Sequence, residues 1–242
     1  MNKPSLKEML EAGMHFGHQK SHWHPKMGKY IFGERSRVHI IDLEKTQAQL
    51  DQTLDFIKGI AERGGVVLFV ATKKQAQPIV KAAAESCGMP YVTERWLGGT
   101  LTNYPQIKQT LRRLRTLKEQ REKGELKKYT KKEQLMLDRE IEEKEHLVGG
   151  IQYMERVPEA VFVIDVRHEK TAVAEAAKVG AKIIGLCDTN SNPTLIDYVI
   201  PCNDDAVKSI KLVTALIAEV IQEGKAHAAS VVAAAPRPKK AE

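Results

Sequence analysis

Histidine, aromatic and cationic side chains are concentrated in one segment near the N-terminus. Residues 15–27 hold four of the eight histidines together with Trp23, and they show no helical period. The spacing of these histidines matches no familiar zinc motif, and no cysteine is nearby. Cations bind phosphates and exposed rings stack on bases, so the composition favours RNA contact over a solvated loop. The candidate RNA-binding residues of this basic arm, residues 15–41, are Lys20, Trp23, Lys26, Lys29, Arg35 and Arg37.

A second candidate site is the 95–103 loop, with the sequence RWLGGTLTN. Its two glycines allow a close turn, and Thr102 is expected to cap a helix whose free N–H groups could hold a phosphate oxygen. Arg95 offers a charge, and Trp96 offers a flat face for stacking on a nucleotide. The alternative, which the residue types favour, is a capped helix anchored by a buried tryptophan. The candidate RNA-binding residues here and on the following helix are Arg95, Trp96, Asn103, Arg112, Arg113 and Arg115.

Acidic residues follow several of the expected strands and suggest a divalent cation site. Because ligands gather beyond the carboxyl ends of strands in open α/β sheets, Asp188 and Asp204 are candidate ligands there. Oxygen ligands suit magnesium, whereas His18 folding over from the basic arm would shift the preference toward zinc. The alternative, again favoured, is that these aspartates cap helices, as Asp204 would for the last helix. No cofactor is expected to be required.

The motifs of nucleotide-using enzymes are missing from the sequence. The first long apolar run, residues 66–71, is followed by no glycine-rich turn, and neither a P-loop nor a nucleophile elbow occurs. We therefore expect no enzymatic activity and no small-molecule substrate. A nucleotide-binding enzyme on a doubly wound fold remains the alternative function.

Continuous apolar runs alternate with amphipathic segments, which predicts an α/β fold with a doubly wound, mainly parallel sheet. We prefer a flavodoxin-like strand order. The predicted strands cover residues 66–71, 161–164, 183–187 and 198–200, and the predicted helices cover 6–12, 42–62, 74–86, 168–179 and 204–222. The globular domain is expected to comprise residues 1–103 and 147–223. A small hairpin in the basic arm should pair residues 30–32 with 38–40 and turn at Gly33-Glu34.

Residues 104–146 interrupt this alternation and predict an inserted antiparallel helical hairpin, a coiled-coil protrusion. Leu111, Leu114 and Leu117 mark a narrow apolar stripe on its first helix. Thr130 and Glu133 form a capping-box pattern at the start of the second helix, whose stripe would be Leu135, Leu137 and Ile141. The stripes are too thin to be covered all round, so the hairpin should extend into solvent or against a partner. The Ala/Pro/Lys-rich tail, residues 224–242, is expected to be disordered.

The charge distribution points to a polyanionic partner on one side of the protein. The net charge is +7, but residues 108–145 carry +4 and residues 146–223 carry −4. No apolar stretch is long enough to span a membrane, and the N-terminal residues contain no signal region, which predicts a cytoplasmic protein without membrane contact. Three cysteines without C-x-x-C spacing are expected to be reduced thiols.

Several sequence blocks closely resemble the S2 family of bacterial small-subunit ribosomal proteins, over residues 5–224. They are 15–18 (HFGH), 23–27 (WHPKM), 30–33 (YIFG), 38–43 (VHIIDL), 95–103 (RWLGGTLTN), 147–151 (LVGGI), 162–165 (FVID), 188–193 (DTNSNP) and 200–206 (IPCNDDA). The resemblance implies a structural constituent of the small ribosomal subunit that binds ribosomal RNA and supports translation without catalysis. It also implies other small-subunit proteins as partners, including docking of ribosomal protein S1.

Overall fold

The structure is a computed structural model that describes residues 3–234. Its α-helices are α1 (Leu6–Glu11), α2 (Leu43–Glu62), α3 (Gln77–Cys87), α4 (Tyr104–Glu122), α5 (Lys131–Val148), α6 (Lys170–Val179) and α7 (Val207–Ala234). Its strands are β1 (Phe16–Gln19), β2 (Ile31–Arg35), β3 (Val38–Ile41), β4 (Val67–Val70), β5 (Tyr91–Val92), β6 (Ala160–Ile164), β7 (Lys182–Cys187) and β8 (Tyr198–Pro201).

The central sheet has five parallel strands in the order β5-β4-β6-β7-β8. Numbered within this sheet the order is 2-1-3-4-5, so the preferred flavodoxin-like order is confirmed. The sequence missed β5, because its two residues, Tyr91 and Val92, are too short a run to give a strand pattern. The sheet is therefore one strand larger than the apolar runs indicated.

Helices cover both faces of this sheet, which is why its strands are apolar throughout. On one face Phe69 and Phe162 meet edge-to-face at 5.5 Å beneath α2, α3 and α7. On the other face α6, the base of α4 and α5, and part of the basic arm share a second core with Val161 and Val163. The buried cysteines Cys87, Cys187 and Cys202 are free thiols.

The basic arm is more regular than its composition suggested. β1, β3 and β2 form a three-stranded antiparallel sheet. The predicted hairpin exists, but the prediction that it turns at Gly33-Glu34 is wrong. The turn is at Ser36-Arg37, whose φ angles of 52° and 65° are those of the two-residue turns that match strand twist.

Two helices, α4 and α5, occupy the predicted insertion and contact each other. Leu111, Leu114, Leu117 and Ile141 are buried, whereas Leu135 is 52% exposed and is not part of the apolar stripe. A coiled coil that extends from the globular domain stays a prediction.

Local side-chain chemistry shifts several predicted helix ends. α4 begins after Asn103 rather than after Thr102. The Asn203 side chain accepts hydrogen bonds from the backbone of Asp205 and Ala206, so Asn203, not Asp204, satisfies the N–H groups before α7. The prediction that the chain is disordered from residue 224 is wrong for residues 224–234, which belong to α7. Alanine, the strongest helix former, is frequent in this segment. Residues 235–242 of the predicted disordered tail lie outside the described residues.

Candidate functional site

The basic arm is attached to the carboxyl end of β7 through backbone hydrogen bonds. The His18 N–H donates to Thr189 Oγ1 at 2.9 Å, and the His24 N–H donates to the Thr189 carbonyl at 2.7 Å. A Cβ on Gly17 would lie 2.7 Å from Thr189 Cγ2, so only glycine allows this close approach. The arm is therefore a fixed surface rather than a loose loop.

The candidate RNA-binding residues of the arm all lie at its surface, although several have intramolecular partners. Trp23 is 41% exposed and touches His39 edge-on. Arg35 and Arg37 are exposed at the β2–β3 turn. The lysine contacts are Lys20 Nζ with Glu34 at 2.8 Å, Lys26 Nζ with Thr194 Oγ1 at 2.7 Å, and Lys29 Nζ at 4.7 Å from the Tyr30 ring centroid.

The 95–103 loop surrounds the buried carboxylate of Glu175. Glu175, on α6, is 7% exposed. It accepts hydrogen bonds from five donors: Trp96 Nε1 at 3.0 Å, the N–H groups of Gly99 at 2.7 Å, Leu101 at 3.0 Å and Thr102 at 3.1 Å, and Thr102 Oγ1 at 3.1 Å. Burial by itself would raise the pKa of Glu175, but the hydrogen bonds, that of Trp96 foremost, outweigh burial and lower it.

This arrangement corrects two expectations for the loop. Thr102 does not cap α4, because its N–H and Oγ1 donate to Glu175, as do the N–H groups of Gly99 and Leu101 before the helix. Trp96 is buried, so its ring is not an exposed stacking surface, and the structural alternative describes it correctly. Arg95 and Asn103 remain exposed on either side of the loop.

The charges of the helical hairpin are divided between its two helices. α4 carries six basic and two acidic side chains, whereas α5 carries four basic and six acidic ones. Arg112 is exposed, Arg113 pairs with Glu140 at 3.4 Å, and Arg115 Nε donates to the Gln152 carbonyl at 2.7 Å. The positive charge of the two helices therefore lies mainly on α4, although three of its cations pair with acidic side chains of α5.

Three acidic side chains, which lie beyond the ends of β6 and β8, converge on one lysine. Lys73, after β4, contacts Asp165 at 3.2 Å and Asp204 at 3.3 Å, and it also pairs with Asp205. Burial would lower the pKa of Lys73, but the three carboxylates outweigh burial and raise it. Burial also raises the pKa of Asp204 to about 7, with added repulsion from Asp165 and Asp188. Sequence reasoning missed Lys73; its position directly beyond a strand end was the available signal.

The predicted metal-ligand set is brought together only in part. His18 Nδ1 lies 2.9 Å from Asp188 Oδ2, and His18 Nε2 lies 3.5 Å from Asp205 Oδ2. The hydrogen bond that the His18 ring donates to Asp188 is the largest cause of the raised pKa of His18. One possible ligand atom from each of these three residues lies within 4.8 Å of the other two. The cluster therefore contains Asp205 in place of the predicted ligand Asp204.

The model of the family described as ribosomal protein S2 matches residues 9–224. The chain belongs to the ribosomal protein S2 family. Membership confirms the resemblance carried by the sequence blocks and implies a structural protein of the small ribosomal subunit, associated with ribosomal components. Among the described residues, none of the helices of this S2-family protein has the length and hydropathy needed to cross a membrane.

Proposed function

We propose that this protein binds small-subunit ribosomal RNA through the basic arm, Arg95 and the exposed side of α4. The observation that carries the proposal is the attachment of the arm to Thr189, which holds Trp23, Arg35 and Arg37 at the surface of a fixed scaffold. A backbone that is already fixed loses little conformational freedom when its exposed cations meet phosphates. The role is that of a cytoplasmic structural constituent that supports translation.

The distribution of acidic groups gives this proposal an orientation. The acidic side chains of α5 and the −4 charge of residues 146–223 would repel phosphates. RNA should therefore contact the arm and α4, while the acidic surfaces face solvent or basic partner proteins of the small subunit.

The test is binding of the full chain to small-subunit ribosomal RNA over a range of salt concentrations. Log affinity should fall linearly with log salt, by roughly 0.7–0.9 per phosphate neutralised. Arg112→Ala should weaken binding modestly and reduce the slope by about one phosphate. Lys211→Ala, on α7 across the sheet, is the matched control and should leave the slope unchanged. Affinity independent of salt would overturn the proposal, and a nucleotide co-purifying with the protein would favour the enzyme alternative.

Docking of ribosomal protein S1 forms a second part of the proposal. Leu6, Leu10 and Phe32 are 41%, 53% and 80% exposed around a groove of about 460 Å³. Exposed apolar clusters of this kind commonly mark protein contacts. Phe32→Ala should weaken capture of ribosomal protein S1, whereas Leu195→Ala, an exposed leucine elsewhere, should not. Equal capture by both variants would exclude this surface.

A divalent cation, magnesium or zinc, held by His18, Asp188 and Asp205 is the third part. The convergence of one imidazole and two carboxylates within 4.8 Å supports it, and the imidazole favours zinc over magnesium. Asp204 is not part of this cluster: Lys73 engages its Oδ1, and its buried Oδ2 accepts no hydrogen bond from the described residues. Metal analysis of dialysed protein should give about one ion per chain, lost in Asp188→Asn and retained in the control Asp55→Asn. Absence of metal from the unaltered protein would end this part of the proposal.

A further inference from the structure

A cavity of about 610 Å³ opens at the amino ends of β4 and β5, the opposite end of the sheet from the strand-end acids. Its walls include Gly64-Gly65, which precede β4, and the segment 149–156, which follows α5. Its size is within the range of pockets that take small ligands. None of the candidate RNA-binding residues from the sequence lines it.

Most of the charged groups around this cavity are already paired. Arg156 pairs with Glu159 at 3.1 Å and donates to the Gly64 carbonyl at 2.9 Å. Lys225 donates to the Cys87 carbonyl at 2.6 Å, and Glu85 accepts from the Tyr91 hydroxyl at 2.8 Å. The walls therefore suit an uncharged, flat group better than a free phosphate.

Tyr153 stands at the rim of the cavity with one face of its ring occupied. The Arg115 guanidinium lies 5.7 Å from the ring centroid, and a hydrogen bond from Arg115 Nε to the Gln152 carbonyl holds it there. Tyr153 is nevertheless 78% exposed, which makes it one of the most exposed large apolar side chains of the described chain. A ring backed by a guanidinium and open on its other side is a stacking platform.

We propose that Tyr153 stacks on an unpaired RNA base that enters this cavity, while its flanking phosphates lie against α4. The inference rests on the proposed function, because RNA is the partner that the basic side of α4 would bring to this rim. Lys108 and Arg112 lie on α4 before Arg115, and Lys108 Nζ donates to the Glu155 carbonyl on the same rim. The Glu155 carboxylate would repel a phosphate, which leaves the base as the group that enters.

The experiment compares Tyr153→Ala with Tyr129→Ala in binding to small-subunit ribosomal RNA. Tyr129 is a matched control, since it is also exposed and has a cation, Lys128, 5.4 Å from its ring centroid, but it does not line this cavity. Tyr153→Ala should lower affinity roughly 5- to 150-fold, the range expected for one stacked base. Its salt slope should not change, because no phosphate contact is removed. Tyr153→Phe should restore binding.

Chemical probing of the bases provides the second readout. At least one base protected by the unaltered chain should become reactive with Tyr153→Ala and stay protected with Tyr129→Ala. If both variants bind like the unaltered chain and no base changes reactivity, the inference is wrong while the proposed function stands. If Tyr153→Ala instead loses a protein partner with RNA binding intact, the cavity is a protein site and the inference is also wrong. If the unaltered chain does not bind the RNA, the proposed function itself fails.

Discussion

Glu175 accepts a hydrogen bond from the indole of Trp96 at 3.0 Å and so joins α6 to the loop that begins α4. The carboxylate occupies the position that a bound anion would take among the loop N–H groups. The double glycine of the 95–103 loop thus serves an internal contact. What the loop offers a partner is its exposed flank, Arg95 and Asn103.

Glu175→Gln should destabilise the protein by about 2–4 kcal/mol. The amide has one acceptor oxygen, and its NH₂ group would face donors that have no other partner in the described structure, which leaves buried N–H groups unsatisfied. Urea unfolding measures the loss. Glu94→Gln removes an exposed pair with His146 and serves as the control, with an expected change of less than about 1 kcal/mol.

The Glu175 carboxylate should also make the free energy of unfolding depend on pH. Because the folded-state pKa of Glu175 is lowered, its contribution is present above the unfolded-state pKa and is lost as pH falls through the folded-state pKa. The unaltered protein should therefore lose stability on acidification more steeply than Glu175→Gln. Parallel pH profiles for the two proteins, measured by urea unfolding, would contradict this assignment.

Lys73→Met should destabilise the protein by about 3–5 kcal/mol at neutral pH. The substitution leaves Asp165, Asp204 and Asp205 facing one another without the cation that they share. The neighbouring exposed Lys74 provides the control, and Lys74→Met should change the free energy of unfolding by less than about 0.5 kcal/mol. Similar unfolding midpoints for the two variants would show that the ion pairs of Lys73 contribute little to stability.

Arg37→Gly should separate stability from RNA binding. Glycine adopts the positive φ of this turn without the cost of about 1–2 kcal/mol that other residues incur, so thermal stability should rise. RNA affinity should fall, because an exposed cation is lost. Arg37→Ala loses the same charge without relieving the backbone and should weaken RNA binding equally with no gain in stability.

Gly150→Ala should loosen the base of the helical hairpin. A Cβ at this position would clash with the Tyr91 carbonyl and lie 2.6 Å from Tyr91 Cδ2, so β5 or the residues after α5 must move. We expect a loss of about 1–3 kcal/mol in unfolding free energy. Gly98→Ala is the control, since no atom lies within 4 Å of its added Cβ and its φ is not positive.

Periodicity and local capping chemistry allowed most of the elements to be predicted from the sequence. The apolar runs that became β4, β6, β7 and β8 identified a parallel sheet, and the capping box at Thr130 located the start of α5. Both signals act between residues a few positions apart. The two-residue strand β5 and the Ser36-Arg37 turn gave no such local signal. The pairing of β5 with β4 at the edge of the sheet determines the strand, and the register of β2 with β3 determines the turn.

The tertiary structure decided which side chains form sites. The types of Asp188 and His18 suggested ligands, but only the distance between the arm and the end of β8 selected Asp205 over Asp204. The sequence placed Trp96 and Arg95 together, yet packing against α6 buried the ring and left the guanidinium in solvent. Contacts such as Trp96–Glu175 join residues 79 positions apart, and their geometry depends on how α6 and the 95–103 loop pack on one face of the sheet. Local sequence patterns specify helices and strands because their hydrogen bonds and periodicity are local, whereas a site depends on distances that exist only once those elements have packed.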